Sequence, residues 1–163
     1  MVECNMAGTV QDFYDDLSSN YHLIFEDWEA SIARQAAVLG PILARECGSA
    51  TPMTILDCAC GIGTQALGLA RAGFRVTGSD LSPRAIERAR VEASARSLDL
   101  RLHVADMLHL DAVPGTGFDA VTCMDNSRLT FQATRTSPGP QRRFGKNFEP
   151  AEFLWPASET MTI

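Results

Sequence analysis

Residues 53–63 read Met-Thr-Ile-Leu-Asp-Cys-Ala-Cys-Gly-Ile-Gly, and the rest of the chain is organised around this stretch. Met53–Ala59 has the apolar character of a buried strand, and a helical pattern, Thr64–Ala72, begins directly after the glycines. Gly61 and Gly63 have no Cβ atom, so the backbone can pass close to a ligand. The start of the helix adds unpaired N–H groups and a partial positive charge. Strand, turn and helix together predict a nucleotide-binding site.

Asp57 decides between two kinds of ligand for this turn. Gly61, Gly63 and Ala66 also fit the Gly-x-Gly-x-x-Gly/Ala fingerprint of NAD-binding domains. A carboxylate four residues before Gly61 would repel a pyrophosphate, but it can face an ammonium group or hold the loop. S-adenosylmethionine (SAM) has no phosphate and carries a sulfonium and an amino group. The position of Asp57 therefore favours SAM, while a purely structural role for Asp57 and an NAD-dependent oxidoreductase fragment remain as alternatives.

The chain continues with alternating strand and helix patterns. Further strands are predicted at Phe74–Ser79, Leu100–Ala105 and Phe118–Met124. Ser82 and Pro83 predict a helix start, and that helix extends to about Ser97. Such alternation predicts a Rossmann-like, doubly wound α/β fold, with a parallel sheet and helices on both faces. Four acids fall at strand ends and are expected to cluster at the carboxyl edge, where ligands bind in such sheets: Asp57, Asp80, Asp106 and Asp125.

Four motifs in this order resemble those of the class I SAM-dependent methyltransferases. Leu56–Thr64 is similar to the first motif of that family, Val76–Asp80 to the second strand, Val104–Met107 to the third, and Phe118–Val121 to the fourth. The resemblance covers roughly residues 12–127 and implies a SAM-binding fold with about four of the family's strands present.

The resemblance also implies roles for individual residues. Asp80 would accept hydrogen bonds from the ribose hydroxyls, although it could instead be a solvated acid that caps the next helix with Ser82. Asp106 would accept from the adenine amino group and Met107 would pack on the ring, although either could be a turn residue. The cofactor-binding residues implied in this half of the chain are Asp57, Ala59, Gly61, Gly63, Asp80, Leu81, Asp106 and Met107.

A narrower resemblance lies nearer the N-terminus. Tyr21–Trp28 followed by Ser31–Gln35 is similar to the lead-in of glycine and sarcosine N-methyltransferases. It implies that Tyr21, Trp28 and Arg34 close over SAM, against the alternatives of core packing for Trp28 and a solvated helix face for Arg34. Asn126 matches the family's asparagine near the amino-acid substrate. The implied reaction is in-line methyl transfer to a small amine such as glycine or sarcosine, which needs positioning and desolvation rather than a side-chain nucleophile or base.

Three segments are predicted: a helical N-terminal lead-in or lid (1–52), a SAM-binding half-domain (53–127) and an irregular tail (128–163). In the lead-in, Asp12–Leu17 predicts a short helix and Trp28–Cys47 an amphipathic one that Gly40-Pro41 kinks or divides. The tail holds four of the eight prolines and shows no strand or helix period from Leu129 to Asn147. We therefore expect a poorly ordered tail and a truncated or frameshifted reading frame after Ser127, so an inactive SAM-binding remnant is a further alternative.

Composition narrows the expected partners. The formal net charge of −6 disfavours nucleic acid and anionic membranes. No long apolar run or leader is visible, which predicts a soluble cytoplasmic protein. Five cysteines without a second metal-ligand pair favour free thiols, and Cys58 and Cys60 are expected to pack the turn rather than bind metal. An open sheet edge at the fourth strand predicts a homo-oligomer or an insoluble chain.

Overall fold

The computed structural model describes residues 9–47, 52–115, 117–124 and 130–133, and it places one sheet at the centre of them. The strands are β1 (Thr54–Asp57), β2 (Arg75–Asp80), β3 (Arg101–Val104), β4 (Ala120–Cys123) and β5 (Thr130–Ala133). Their order is β3-β2-β1-β4-β5; β1 to β4 are parallel, and β5 runs antiparallel to β4. The predicted Rossmann-like parallel sheet is thereby confirmed.

β5 corrects the sequence prediction in one place. Leu129–Asn147 was expected to hold no strand, yet Thr130–Ala133 pairs with β4 through the register Ala120↔Ala133 to Cys123↔Thr130. The sequence Thr-Phe-Gln-Ala is too short to reveal a period of two, and its strand conformation comes from pairing with the edge that β4 offers. The edge of β4 that was expected to be open is therefore paired in the protein.

Four α-helices accompany the sheet: α1 (Val10–Leu17), α2 (Trp28–Cys47), α3 (Thr64–Arg71) and α4 (Pro83–Ala95). Short 3₁₀ turns lie at Tyr21–Ile24 and Leu110–Ala112. Ser82 caps α4 by accepting a hydrogen bond from the Ala85 N–H, as its position before Pro83 predicts. Thr9 and Asp12 form a reciprocal capping box at the start of α1.

α2 is one continuous helix, which corrects the expectation that Gly40-Pro41 divides it. Proline removes one N–H from the helical ladder, and the carbonyl four residues earlier belongs to Ala37. Pro41 and Ala37 are both exposed, so water can reach that carbonyl. Ile32, Leu39 and Leu43 keep the helix anchored on both sides of the proline.

Successive residues of the strands feed two separate cores, because side chains alternate across a sheet. Ile55, Val76 and Ala120 enter the larger core with residues of α2, α3 and α4. Leu56 and Val121 enter the smaller core on the opposite face, where residues of the 105–118 connection cover them. Both cores end at the carboxyl ends of β1, β2 and β4, which leaves that edge of the sheet to form a site.

Candidate cofactor site

The glycine turn connects β1 to α3 through two left-handed residues. Gly61 has a φ of 53° and Gly63 a φ of 96°, and Gly63 is the N-cap residue of α3. Its N–H donates to the Cys60 carbonyl at 2.8 Å. Because glycine adopts positive φ without a Cβ penalty, these two positions explain the Gly-x-Gly spacing. The turn brings the backbone and the start of α3 to the edge of the sheet.

Asp80 joins this turn to the end of β2. One carboxylate oxygen accepts the Gly61 N–H at 2.8 Å, and the other accepts the Ser82 N–H at 2.9 Å. Burial raises the pKa of the carboxyl above its ordinary value, against the lowering effect of these backbone donors. Each oxygen has a further lone pair for a ligand hydroxyl. Asp80 is thus held in place before any ligand arrives.

Asp106 and Met107 follow β3 and complete the third side of the site. The Ala105 N–H donates to the Asp80 carbonyl at 3.0 Å, which ties this segment to β2. One carboxylate oxygen of Asp106 accepts the Leu108 N–H at 2.9 Å, and the other lies 3.3 Å from Nδ1 of His109. Both Asp106 and Met107 are half-buried, so each side chain presents part of its surface to the site.

These elements enclose a cleft of about 260 Å³ at the carboxyl ends of the strands. Seven residues that the sequence singled out line it: Tyr21, Ala59, Gly61, Asp80, Leu81, Asp106 and Met107. Gly63 and Asp57 do not line it: Gly63 caps α3, and Asp57 is fully buried at the end of β1 behind the turn. The clustering expected of Asp80 and Asp106 is therefore present, with Asp57 in the layer beneath.

The N-terminal segment forms the opposite wall. Val10, Tyr14 and Ser18 of this segment line the cleft together with Tyr21. Asp15 holds α1 against α4, because its carboxylate accepts from the Ser82 hydroxyl and, at 3.2 Å, from the Arg84 N–H. Arg88 adds a hydrogen bond to the Ser19 carbonyl at 3.1 Å. We call residues 10–25 the lid.

Sequence reasoning missed several of the lining residues. The missed set is Val10, Tyr14, Ser18, Cys58, Cys60, Ile62, Thr64, Ala85 and Met124. Those in residues 58–64 belong to the motif already identified and could have been added from its spacing. The lid residues could not, because their contact with the cleft depends on how α1 packs against α4.

Trp28 and Arg34, predicted to close over SAM, are not among the residues that line the cleft. The Trp28 indole N–H donates to the Thr64 hydroxyl at 2.9 Å, and its ring lies near the guanidinium groups of Arg88 and Arg96. Arg34 is exposed on α2, where it donates to the Ser31 hydroxyl at 2.9 Å. These contacts match the alternatives of packing for Trp28, whose indole reaches the cleft residue Thr64, and of a solvated face for Arg34.

The remaining sequence predictions concern Asn126, Asp125, metal ions and the membrane. Asn126 and Asp125 lie outside the described residues. Within residues 9–47, 52–115, 117–124 and 130–133, no group of three or more His, Cys, Asp or Glu side chains is arranged to hold a metal ion. None of the helices in this part of the chain combines the length and the hydrophobicity that a membrane span requires.

The charges of the cleft select among ligands. Two carboxylates, Asp80 and Asp106, face it, and no Lys or Arg occurs among the described lining residues. A pyrophosphate would meet repulsion there, whereas a ligand with hydroxyls, an amino-substituted ring and a positive charge would be attracted. The residues present therefore fit SAM, and the two carboxylates favour it over NAD.

Similarity to known proteins agrees with this geometry. Residues 55–136 match the sequence profile of a methyltransferase domain. An uncharacterized protein of Mycobacterium tuberculosis is 38% identical over 95 residues, which are 58% of this chain and 34% of that protein. A ubiquinone biosynthesis O-methyltransferase of Xanthomonas campestris is 37% identical over 71 residues, or 44% of this chain and 30% of the enzyme. The chain thus spans about a third of the length of these curated relatives.

A solved structure shows the same relationship. A TehB-like SAM-dependent methyltransferase from Corynebacterium glutamicum superposes with a TM-score of 0.52 at 26% identity, over 68% of this chain and 56% of that one. The profile match covers half of the chain and runs nine residues past Ser127, where the methyltransferase pattern was expected to stop. On the sheet, the glycine turn and these similarities, the chain belongs to the methyltransferase domain family and has the class I fold that binds SAM.

Proposed function

We propose that this chain is the cofactor-binding part of a SAM-dependent methyltransferase that acts on a small amine such as glycine or sarcosine. The observation that carries the cofactor half of the proposal is the pairing of Asp80 and Asp106 at one cleft beside the glycine turn. The small-amine half rests on the resemblance of residues 21–35 to the glycine and sarcosine enzymes.

Each part of the cofactor has a partner in the cleft. Asp80 would accept from the ribose hydroxyls through the lone pairs that Gly61 and Ser82 leave free. Asp106 would accept from the adenine amino group, and Leu81 and Met107 offer apolar surface to its ring. The absence of a Cβ at Gly61 lets the rest of the molecule approach the backbone of the turn.

SAM supplies a methyl group on a sulfonium, which is already a good leaving group. The protein therefore needs to position the acceptor in line with that methyl group and to exclude water from both reactants. Tyr14 and Tyr21 of the lid line the cleft and would exclude water from it. No proton transfer by a described side chain is required when the acceptor is a neutral amine.

An oxygen acceptor is a second candidate. Two of the four side chains behind the amine assignment, Trp28 and Arg34, are not among the residues that line the cleft, which weakens that assignment. The relative from Xanthomonas campestris is named an O-methyltransferase. Oxygen transfer would require a base to deprotonate the acceptor, in contrast to transfer to a neutral amine.

Transfer of a radiolabelled methyl group from SAM separates these candidates. Glycine, sarcosine and dimethylglycine would be compared with phenolic acceptors, using an Asp80→Asn variant as the control. Label in the amino acids alone supports the proposal, and label in phenols alone supports the second candidate. Binding of SAM without label in any acceptor contradicts both and identifies an inactive SAM-binding protein.

A further inference from the structure

Two cysteines face each other across the central strands directly under the cleft. β1 and β4 are parallel, with Asp57 opposite Thr122, so the next pair along the register is Cys58 and Cys123. The Cys58 N–H donates to the Thr122 carbonyl at 2.9 Å, which continues the ladder to this point. Neighbouring strands lie about 4.8 Å apart, within the range of about 4.4–6.8 Å between Cα atoms that a disulfide spans.

Both side chains point to the same face of the sheet. Cys58 and Cys123 belong to the smaller core, with Leu56 and Val121 two residues before each. The Cys123 sulfur lies 3.7 Å from the sulfur of Met107. Cys60 belongs to the larger core on the other face, so it is turned away from this pair.

The two thiols influence each other's ionisation. The interaction with Cys123, together with burial, raises the pKa of Cys58 far above its ordinary value. The interaction with Cys58 lowers the pKa of Cys123, although burial and Asp80 oppose it. The protein thereby distinguishes a sulfur that ionises more readily from a partner thiol that holds its proton.

The cleft provides a route for a small oxidant. Cys58, Met107 and Met124 line it, and Cys123 lies behind them with its sulfur 3.7 Å from that of Met107; both cysteines are largely buried. Hydrogen peroxide is about the size of a water molecule and can enter a cleft of 260 Å³.

We propose that Cys58 and Cys123 are an oxidation site, at which hydrogen peroxide forms an interstrand disulfide that weakens cofactor binding. The Cys123 thiolate attacks one oxygen of the peroxide; an S–O bond forms, the O–O bond breaks, and hydroxide leaves with the proton lost by Cys123 to become water. The Cys58 sulfur then attacks the Cys123 sulfenic acid, an S–S bond replaces the S–O bond, and the Cys58 proton leaves with the hydroxyl as a second water. Two thiols are oxidised by two electrons and one peroxide is reduced.

The disulfide would act on the cofactor through the cleft floor. Bond formation draws the two sulfurs together to about 2.05 Å. Cys58 then withdraws from the cleft wall, and Cys123 separates from Met107, which is also a wall residue. This part of the inference rests on the proposed function, since it assigns the cleft to SAM.

Peptide mapping of the peroxide-treated full chain tests the modification by itself. Trypsin releases residues 46–71 with Cys58 and residues 102–128 with Cys123, and fragmentation of the linked pair locates the bonded sulfurs. A link between Cys58 and Cys123 that dithiothreitol reverses is the expected result. Links through Cys60 or Cys47, or free thiols at both positions, would overturn the proposal.

Titration with S-adenosylhomocysteine tests the consequence. The oxidised protein is expected to bind it severalfold more weakly than the reduced protein, and Cys123→Ser is expected to bind equally before and after peroxide. If the disulfide-linked protein binds S-adenosylhomocysteine as tightly as the reduced protein, the proposed effect of the disulfide on cofactor binding is overturned. Reduced protein that fails to bind refutes the proposed function instead, and the peptide map still decides the modification.

Discussion

The floor and the lid of the cleft are built in different ways. The floor, residues 58–62 with Asp80, Asp106 and Met107, is held by backbone hydrogen bonds from Gly61, Ser82 and Ala105. The lid, residues 10–25, includes a helix with no buried residue and exposes Phe13 and Leu23, at 62% and 69% of their surfaces. The difference teaches that cofactor recognition is set by the sheet, whereas the lid is attached by a few polar contacts. Substitutions in the floor should therefore have larger effects than those in the lid.

Asp80→Asn should have the largest effect on binding. The amide keeps the shape but loses the charge, and an amide NH₂ cannot accept from a ribose hydroxyl or from a backbone N–H. Loss of charge-assisted hydrogen bonds of about 1.5–3 kcal/mol predicts roughly 10- to 100-fold weaker binding of S-adenosylhomocysteine. Asp99→Asn, on the exposed connection after α4, is the matched control and should bind normally. Equal affinity of Asp80→Asn and the parent would remove Asp80 from the site.

The raised pKa of Asp80 gives the same residue a pH signature. An ionised carboxylate accepts ligand hydroxyls better than a protonated one, so affinity should fall as pH is lowered through the Asp80 pKa, above the ordinary 3.8. The effect on stability has the opposite sign. The folded state binds this proton more readily than the unfolded state, so this contribution to stability decreases as pH rises through the same window. Titrations of S-adenosylhomocysteine at several pH values should show the fall in the parent and a flatter profile in Asp80→Asn.

Gly63→Ala should destabilise the fold rather than the ligand complex alone. Alanine at a φ of 96° is strained, and its Cβ would lie 3.3 Å from Cγ of Leu67. The expected loss is about 1–2 kcal/mol in the free energy of unfolding. Gly40→Ala is the matched control, because its Cβ would make only ordinary contacts with Phe74 inside α2 and should stabilise by up to about 1 kcal/mol. Urea unfolding measures the free energy of unfolding of both variants. If both variants were stabilised, or both destabilised, the left-handed conformation assigned to Gly63 would be contradicted.

Asp15→Ala should loosen the lid with little effect on the sheet. Its carboxylate contacts the Ser82 hydroxyl and the Arg84 N–H, and the loss of such partly exposed contacts costs about 1 kcal/mol. S-adenosylhomocysteine should bind a few-fold more weakly. Compared with the parent protein, hydrogen exchange should become faster in residues 10–17 and change little in β1. Asp16→Ala is the control, since its ion pair with Arg84 is exposed and such pairs contribute little. An effect on binding as large as that of Asp80→Asn would make the lid part of the recognition surface.

Trp28→Phe should have the smallest effect. Phenylalanine keeps a ring near Arg88 and Arg96 but removes the indole N–H that donates to Thr64, a cleft residue. A hydrogen bond of this kind contributes about 0.5–1.5 kcal/mol, and its loss reaches the cofactor only through Thr64, so affinity should fall by no more than about twofold. Arg34→Ala should leave the affinity for S-adenosylhomocysteine unchanged. A loss for Arg34→Ala equal to that for Trp28→Phe would restore the predicted closure of both side chains over the cofactor.

The contrast between the floor and the lid also explains which site residues could be predicted from the sequence. Strand ends and the glycine turn follow local rules, so spacing predicted Gly61 and Asp80 at the cleft, whereas Met107 was implied by the family resemblance. The lid depends on the packing of α1 against α4 through Asp15, a contact between residues 67 positions apart that no local pattern encodes. The closure of Trp28 over the cofactor stays a prediction, and its hydrogen bond to Thr64, 36 positions away, is likewise encoded by no local pattern. β5 was missed because four residues next to an available edge carry too little pattern.

Calorimetric titration of the reduced protein with S-adenosylhomocysteine, with NAD as the second ligand, tests the central claim most directly. The account predicts micromolar one-to-one binding of S-adenosylhomocysteine, strongly weakened in Asp80→Asn, and no binding of NAD. Binding of NAD by a protein that does not bind S-adenosylhomocysteine would contradict it.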